Sequence, residues 1–304
     1  MNDPATEAAS ASGATAGAAP SQERNRPLRQ AQGNSGLSLE ELKEKALAVR
    51  RHIVRMTAEA GSGHPGGSLS ATDLLTALYF RVMRHDPANP PWPDRDRFIL
   101  SKGHCVPVLY SVLAETGYFP VEELLTFRKV GSRLQGHCHV MTPGVEQCAG
   151  SLGQGLSFGI GAALAGRLDK RDYWVYVMLG DGECDEGQVW EAAMAATHFK
   201  LDNLVAIVDR NRIQNDRWTS EAMELEPLAD KWTSFGWDVT EIDGHDMAQV
   251  VDTLERTRAR NDSRKVIIAH TVKGKGVSFM ENNADFHGKA PSAEQLKLAL
   301  KELS

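Results

Sequence analysis

The first regular pattern of apolar and polar positions in the chain begins at Ser38 and is helical. Ser38 and Glu41 have the spacing of a capping box at a helix N-terminus. Apolar residues then recur at steps of three and four, which is the spacing of one helix face. The members of this stripe are Leu39, Leu42, Ala46, Val49, Ile53 and Met56. The pattern predicts an amphipathic helix that ends before the glycine-rich run 61–67.

Short apolar runs and amphipathic stretches alternate along the rest of the chain. Strands are predicted at 98–100, 173–179, 204–209, 237–242 and 266–269. Helices are predicted at 69–82, 159–168, 187–199, 225–235, 247–258 and 292–303, and the glycine-rich stretch 131–155 is predicted to be mostly loop. Strands that alternate with helices form a parallel sheet with helices on both faces. The sequence therefore predicts an α/β fold with a doubly wound, mostly parallel sheet.

Residues 1–36 differ in composition from the rest of the chain. They consist largely of Ala, Ser, Gly and Gln, with almost no bulky apolar side chain. Such a segment cannot bury enough apolar surface to offset the entropy lost on ordering. We predict a disordered tail over 1–36 and one α/β domain over 37–304, because no internal repeat or second linker interrupts the remainder.

Composition narrows the classes of function. The chain has 304 residues, with 34 Lys and Arg against 40 Asp and Glu and a formal net charge of −6. Nucleic-acid-binding proteins usually carry a basic excess, so we expect no nucleic-acid partner. No stretch approaches the ~18 apolar residues of a membrane helix, and we expect neither a membrane span nor a secretion signal. The four cysteines form no C-x-x-C pair, so we expect reduced thiols and a cytoplasmic location.

Polar residues follow two predicted strands at the edge where parallel sheets bind ligands. Asp181 stands between two glycines directly after strand 173–179, and Asn211 follows strand 204–209. The glycines allow a ligand to approach the backbone, and Asp and Asn oxygens suit Mg²⁺ or Ca²⁺. Mg²⁺ held by few protein groups usually completes its shell with water and substrate phosphate. These residues indicate a divalent cation that binds a phosphorylated ligand, and a plain surface turn is the alternative.

The spacing of these two residues points to a family. Asp181 and Asn211 lie thirty positions apart across one predicted helix and one strand, which is typical of thiamine diphosphate enzymes. From about Leu39 to its end, the chain resembles the N-terminal, diphosphate-binding half of transketolase. Five motifs in family order carry this resemblance: Gly61-Ser-Gly-His64-Pro-Gly, Leu100-Ser-Lys-Gly-His104, Gly150-Ser-Leu-Gly-Gln-Gly155, Gly180-Asp-Gly-Glu-Cys-Asp-Glu186-Gly-Gln-Val-Trp-Glu191-Ala and Phe286-His287-Gly-Lys.

The resemblance implies a role for each matched residue. A divalent cation, Mg²⁺ or alternatively Ca²⁺ or Mn²⁺, would bind Asp181, Asn211 and the backbone carbonyl of Ile213. Thiamine diphosphate would contact His104, Gly150, Ser151, Leu152, Asp181, Gly182, Glu183, Asn211, Lys273 and His287. The catalytic residues would be His64, His137 and His287, which face the substrate hydroxyls and the reacting carbon. A subunit interface would lie near Glu186 and Glu191.

The histidines also suggest chemistry on physical grounds. Four of the ten lie in glycine-bearing loops: His64, His104, His137 and His287. A neutral imidazole both donates and accepts hydrogen bonds, which suits sugar hydroxyls and proton transfer near pH 7. Where transketolases commonly have Gly-His-Pro-Glu, this chain has Gly136-His137-Cys138-His139. Together with Cys148, that cluster matches no common zinc spacing, so we predict no zinc site there.

Two further clusters suggest structural roles. Arg50, Arg51 and Arg55 crowd one helix, and we expect them on a solvated face. The tryptophans expected in the core or at an interface are Trp190, Trp232 and Trp237.

Full-length transketolases contain two further domains, which supply a glutamate that activates the cofactor and most groups that hold the sugar phosphate. This chain ends soon after His287, with a predicted terminal helix. The resemblance therefore implies the N-terminal subunit of a split transketolase, active only with a partner chain that carries the pyrimidine-binding and C-terminal domains, in an α2β2 assembly. It would transfer a two-carbon ketol unit from a ketose phosphate to an aldose phosphate, with pentose phosphate metabolism as the default role.

Other functions are compatible with parts of this pattern. A deoxyxylulose-phosphate synthase-like enzyme, or the α-chain of a 2-oxo-acid dehydrogenase, would also bind thiamine diphosphate, although the latter lacks the paired Gly-His-Pro-Gly and Ser-x-Gly-His motifs. A non-catalytic regulatory subunit would keep the fold, but intact Asp181, Asn211 and loop histidines argue against it. A simple Mg²⁺–nucleotide binder is excluded because no Gly-Lys-Ser/Thr motif follows a strand.

Overall fold

The computed structural model describes residues 36–259 and 263–304. Apart from Gly36, the predicted tail 1–36 lies outside the described residues. The strands are Arg97–Leu100 (β1), Val175–Gly180 (β2), Leu204–Arg210 (β3), Ile213–Gln214 (β4), Arg217–Trp218 (β5), Asp238–Asp243 (β6) and Lys265–His270 (β7). The α-helices are Leu39–Ala60 (α1), Pro65–Ser70 (α2), Thr72–Ala77 (α3), Val106–Glu115 (α4), Gln154–Leu168 (α5), Gly187–His198 (α6), Thr219–Ala222 (α7), Leu228–Ser234 (α8), Met247–Ala259 (α9) and Ala293–Glu302 (α10).

The longer strands form one parallel sheet in the order β1-β2-β3-β7-β6. The apolar runs of β2, β3 and β7 are almost wholly buried, as expected for a parallel sheet covered on both faces. Strands β2 and β3 are neighbours in a register that pairs Gly180 with Asp209. Their carboxyl ends therefore meet at one edge of the sheet, and the predicted α/β fold is confirmed.

The sheet separates two apolar clusters because successive side chains of a strand point to opposite faces. On one face, Met178 and Ile207 belong to the cluster formed with α1, α4 and α9. On the other face, Val177 and Val208 belong to the cluster formed with α5, α6 and α8. Both faces of the sheet are thus covered, as a doubly wound fold requires.

Trp232 and Trp237 belong to the cluster formed with α5, α6 and α8, and Trp190 packs against it, in agreement with the prediction of core positions. Trp232 is fully buried, with the rings of Trp190 and Trp237 at centroid distances of 5.2 and 5.0 Å. The indole of Trp237 donates to the carbonyl of Ala193 at 3.1 Å, which joins α6 to the start of β6.

The predicted capping box at Ser38 is present, and a second one stands at the start of α10. Ser38 Oγ accepts from the backbone N–H of Glu41, and the Glu41 carboxylate accepts from the backbone N–H of Ser38 at 2.8 Å. Ser292 and Gln295 make the same reciprocal pair at the start of α10. Each pair satisfies two N–H groups that the helix itself leaves without partners.

The prediction that Arg50 lies on a solvated face is wrong. Its guanidinium donates to both carboxylate oxygens of Asp73 at 3.0 and 2.6 Å, and the residue is only 8% exposed. Arg51 lies partly buried and donates to the carbonyl of Leu303 at 2.6 Å, whereas Arg55 is exposed as expected. The face of α1 that looked solvated is therefore partly covered by α3 and by the C-terminal residues.

Some boundaries differ from the prediction, and neither the hairpin β4–β5 nor the short helix α7 was predicted. Helical structure begins at Pro65, earlier than expected, because proline suits the first position of a helix. The hairpin β4–β5 is too short to leave an apolar pattern in the sequence. Arg212 and Asn215 adopt left-handed backbone conformations at its start and at its turn. This hairpin determines where the backbone carbonyl of Ile213 lies.

Two remaining expectations concern cysteines and membranes. All four cysteines are free, and of these Cys148 is exposed. Over the described ranges 36–259 and 263–304, no helix is both long and apolar enough to cross a membrane.

Two glycines of α5 provide a matched test of the packing between this helix and the sheet. A β-carbon on Gly159 would lie 2.6 Å from Cγ2 of Val177, whereas a β-carbon on Gly161 would meet no atom within 4 Å. We expect Gly159→Ala to lower the free energy of unfolding by about 1–2 kcal/mol, because overpacking outweighs the gain in helix propensity. Gly161→Ala should raise it by up to about 1 kcal/mol. Urea denaturation measures both, and equal effects would contradict this packing.

Candidate active site

A buried ion pair between Lys102 and Asp209 lies under the site. Asp209 stands at the carboxyl end of β3 and is fully buried. Its carboxylate accepts hydrogen bonds from four side chains: Ser70, at 2.6 Å, Lys102, Asn211 and Thr271. Lys102 also donates to the carbonyl of Gly67 at 2.9 Å. The pair therefore joins the ends of β1 and β3 to helix α2 and to the segment after β7.

Both members of this pair are charged. Burial by itself would raise the pKa of Asp209, but the Lys102 ammonium and the donated hydrogen bonds hold it below its usual value. Burial would likewise lower the pKa of Lys102, and Asp209 raises it above its usual value instead. Sequence reasoning missed both residues. The available signal was that Lys102 lies within the motif that follows β1, and that Asp209 stands near the end of β3, two residues before Asn211.

Asp181 lies at the end of β2 and is also buried. Its Oδ1 accepts from the backbone N–H of Gly182 at 2.8 Å, and its Oδ2 accepts from the backbone N–H of Arg212. Burial and the neighbouring Asp209 carboxylate raise the pKa of Asp181 in spite of these hydrogen bonds. A buried carboxylate of this kind would be stabilised by a bound cation.

Asn211 and Ile213 complete the predicted set of metal ligands on the turn after β3. Asn211 Oδ1 accepts from the backbone N–H of Ile213 at 3.1 Å. The carbonyl oxygen of Ile213 accepts from Nζ of Lys273 at 2.9 Å, so a cationic group already contacts it. Carboxylate, amide and carbonyl oxygens are the donors that Mg²⁺ prefers, and the residues therefore fit a hard divalent cation. Within the described part of the chain, no cluster of three or more His, Cys, Asp or Glu side chains could hold a metal ion.

The predicted site residues surround one cavity of about 230 Å³ at the carboxyl edge of the sheet. Those that line it are His64, His104, Gly150, Leu152, Asp181, Gly182, Glu183, Asn211, Ile213, Lys273 and His287. Ser151 is exposed and His137 stands just outside the lining, with its ring 6.2 Å from that of His64. The lining also includes Lys102, Cys105 and Gln214, which sequence reasoning did not select. Gln214 Oε1 is buried without a partner among the described residues.

Glu183 fixes the glycine-rich loop at the cavity wall. Its carboxylate accepts from the backbone N–H groups of Gly153 at 2.8 Å and Gly180 at 2.9 Å, and from the hydroxyl of Ser101. Burial raises its pKa, and those hydrogen bonds oppose the shift. Because the protein itself occupies both carboxylate oxygens, Glu183 holds the loop 150–153 against the end of β2.

The four loop histidines form one group. The ring of His64 lies 5.1 Å from that of His104 and 5.4 Å from that of His287, centroid to centroid. Burial, together with nearby positive charge, lowers the pKa of His64 to about 4 and that of His287 to about 3. Burial also lowers the pKa of His104 and, to a smaller extent, of His137. The rings are therefore uncharged at pH 7 and can both donate and accept hydrogen bonds.

The Nδ1 atoms of His287 and His64 have different surroundings. Lys273 Nζ donates to Nδ1 of His287 at 2.8 Å, so the proton of that imidazole lies on Nε2. Burial lowers the pKa of Lys273 to about 8. Nδ1 of His64 is buried and has no hydrogen-bond partner among the described residues. An unpaired buried nitrogen is costly, and a ligand hydroxyl would satisfy it.

Comparison with known proteins identifies the family of the chain. Residues 42–304 match the family described as transketolase, thiamine diphosphate binding domain. The chain is 46% identical to an apulose-4-phosphate transketolase subunit of Phocaeicola vulgatus, over 88% of this chain and 95% of the relative. It is 45% identical to a 6-deoxy-6-sulfo-D-fructose transketolase subunit of a Clostridium species, over 86% and 96%. Human transketolase is 39% identical over 83% of this chain and 40% of its own length.

Solved structures agree with the sequence relatives. The transketolase of Campylobacter jejuni superposes with a TM-score of 0.83 at 33% identity, over 88% of this chain and 43% of that chain. The parallel sheet and the matched family model together identify a thiamine diphosphate-binding α/β domain. The chain belongs to the transketolase family, as its motifs predicted.

The neutral histidines make the fold sensitive to acid. His64 has a pKa of about 4 in the fold against 6.5 ordinarily, so the unfolded chain binds a proton in that window and the folded chain does not. The contribution of His64 to the free energy of unfolding therefore falls as the pH decreases from 6.5 to 4. We expect His64→Gln to reduce this fall by about 1–2 kcal/mol, after allowance for partial solvent exposure.

Urea denaturation at stepped pH values measures the effect. The matched control is His198→Gln, because His198 is exposed at the end of α6 and lies outside the cavity. A pH slope in the His64 variant equal to that of the unsubstituted chain would show that folding does not lower the pKa of His64.

Proposed function

We propose that this chain is the thiamine diphosphate- and metal-binding subunit of a two-chain transketolase, which transfers a two-carbon ketol unit from a ketose phosphate to an aldose phosphate. The observation that carries the proposal is the convergence of Asp181, Asn211 and the Ile213 carbonyl with the loop histidines around one cavity. Membership of the transketolase family supports the same reaction.

The metal and diphosphate would be held by groups from five separate segments of the chain. Mg²⁺, or Ca²⁺ or Mn²⁺ in its place, would bind Asp181, Asn211 and the carbonyl of Ile213, which are all oxygen donors. The diphosphate would be held by side chains and backbone groups of the loops after β1, β2 and β7 and of the loop before α5: His104, Gly182, Lys273, His287, Gly150, Ser151 and Leu152. When bound, thiamine diphosphate supplies the carbanion stabilisation that cleavage of a bond beside a carbonyl requires.

Uncharged His64, His137 and His287 are the residues proposed to act on the sugar. Neutral rings can accept a hydroxyl proton, donate to an oxygen, or pass a proton on near pH 7. For His287, Lys273 engages Nδ1, which leaves Nε2–H as a donor. Glu183 acts indirectly, because it holds the loop 150–153 in place.

A partner chain would supply the rest of the active site. The two bacterial subunit relatives are matched over 95 and 96% of their length, whereas human transketolase is matched over 40% of its length. That difference supports a partner that carries the pyrimidine-binding and C-terminal domains, in an α2β2 assembly. Glu186 and Glu191 are exposed, and Glu186 lies close to Gly153, which suits the predicted interface. The free thiols favour a cytoplasmic location. The proposed reaction gives the chain a role in sugar phosphate metabolism.

The donor sugar is a separate part of the proposal. The two subunit relatives are named for apulose-4-phosphate and for 6-deoxy-6-sulfo-D-fructose, and the chain is almost equally similar to both. Both named sugars carry an anionic end group. We propose a ketose with such a group, and pentose phosphate metabolism as the first pathway to test.

The metal assignment predicts the effect of Asp181→Ala. Without this carboxylate, Mg²⁺-dependent affinity for thiamine diphosphate should fall by about 100-fold or more, because a direct ligand matters at least as much as its outer partners. Isothermal titration with and without Mg²⁺ measures it. Asp230→Ala removes an exposed carboxylate on α8 and should leave the affinity unchanged. Equal affinity in the Asp181 variant would refute the metal site.

The two-chain reaction predicts activity only in the mixture. This chain, thiamine diphosphate, Mg²⁺ and a candidate partner chain should transfer a ketol unit from ketose phosphates to an aldose phosphate, and either chain alone should not. Products are followed by mass spectrometry over a panel that includes pentose, apulose and sulfonated ketoses. Cofactor binding without transfer from any donor would support a non-catalytic subunit instead.

A further inference from the structure

Two consecutive residues, Phe127 and Arg128, lie against the glycines that precede two of the loop histidines. The ring of Phe127 is buried, and its Cε1 would lie 3.1 Å from a β-carbon on Gly63, the residue before His64. Gly63 has a φ of +136°, which also disfavours any other residue there. The backbone beside His64 is therefore packed directly on Phe127.

Arg128 makes the corresponding contact beside His137. A β-carbon on Gly136 would lie within 2.8 Å of the Nε, Nη2 and Cζ atoms of Arg128. The guanidinium therefore lies against the backbone of Gly136, and no side chain could replace that glycine without displacing it. The backbone N–H of Arg128 donates to the carbonyl of Leu134 at 2.9 Å, which closes the turn between them.

Both the backbone conformation and the side-chain environment of Arg128 are energetically unfavourable. Its φ is +60°, in the left-handed region that costs a non-glycine residue about 1 kcal/mol. Its Nε is buried without a hydrogen-bond partner, and its guanidinium has no ion pair among the described residues. Arg50, by contrast, is paired with both oxygens of Asp73. Strain and an unpaired buried donor that persist together point to a function at this position.

We propose that Arg128 is a positioning residue for the proposed reaction: it holds His137 in place through Gly136 and directs an unpaired positive charge toward His64 and His137. This inference rests on the function proposed above, since those two rings are the ones assigned to the sugar.

The electrostatic part follows from which groups face the two rings. Burial lowers the pKa of both His64 and His137 most, and the positive charge of Arg128 has the second largest effect on each. The other groups near them are Lys273, the rings of His104 and His287, and the hydroxyl of Tyr110, which donates to the carbonyl of His137 at 3.2 Å. Positive charge nearby disfavours the imidazolium form, so Arg128 keeps both rings able to accept a proton.

The test compares three substitutions in the full chain labelled with ¹³C histidine. Arg128→Met removes the charge and the planar contact, Arg128→Lys keeps the charge alone, and Lys129→Met removes a neighbouring charge. Lys129 is a suitable control because it is half exposed and pairs with Glu59 on the surface. NMR titration of the histidine signals reports each midpoint without any need for activity.

We expect Arg128→Met to move the titration midpoints of His64 and His137 upward, and Arg128→Lys and Lys129→Met to leave them close to the unsubstituted values.

In the two-chain enzyme, Arg128→Met should lower kcat/KM by about tenfold to a hundredfold, because a misplaced group costs that much. It should also move the acid limb of the pH profile upward. Arg128→Lys should restore the pH profile but only part of the rate. Affinity for thiamine diphosphate with Mg²⁺ should not change in any variant.

Midpoints that stay unchanged in Arg128→Met, or that move equally in Lys129→Met, would overturn the electrostatic role. A parallel loss of cofactor affinity would show that Arg128 only maintains the fold of the loop. If the two unsubstituted chains together fail to transfer a ketol unit, the proposed function is refuted instead. The NMR titration would still test the effect of Arg128 on the two histidines, because it does not depend on activity.

Discussion

The buried ion pair of Lys102 and Asp209 is the interaction on which the rest of the site depends. The two residues are 107 positions apart, and their contact fixes the ends of β1 and β3 against helix α2. An ion pair out of water gives little net stability, but the loss of one member leaves an uncompensated buried charge. The geometry of Asn211, next to Asp209 and hydrogen-bonded to it, is therefore tied to this pair.

The carboxylates and histidines around the cavity differ in charge and in the groups that they contact. The carboxylate oxygens of Asp209 and Glu183 are engaged by protein donors, and each serves to hold other residues. Asp181 is buried and accepts from two backbone N–H groups and, at 3.4 Å, from the guanidinium of Arg210, and a bound cation would stabilise its carboxylate. The histidines are kept uncharged by burial and by positive neighbours, among them Arg128 and Lys273. Cation, diphosphate and sugar could thus be held in adjacent parts of one cavity by groups of different charge.

Local patterns predicted much of this molecule. The capping box at Ser38, the order of strands and helices, and the position of Asp181 and Asn211 at the same edge of the sheet all follow from short-range periodicity and from the geometry of parallel strands. Contacts between distant segments were not predictable in the same way. Arg50 was expected in solvent because nothing near it in the sequence reveals Asp73. The hairpin β4–β5 was missed because two-residue strands carry no periodic signal.

By itself the sequence determined the fold class, the family and the residue types at the strand ends, because these depend on patterns within some thirty residues and on motifs with family spacing. Only the tertiary structure decided which groups meet. It made Glu183 a support for the loop 150–153 and placed Arg128 against the glycine before His137. It also lowered the pKa of the histidines, because burial depends on how distant segments pack, and no local pattern records that.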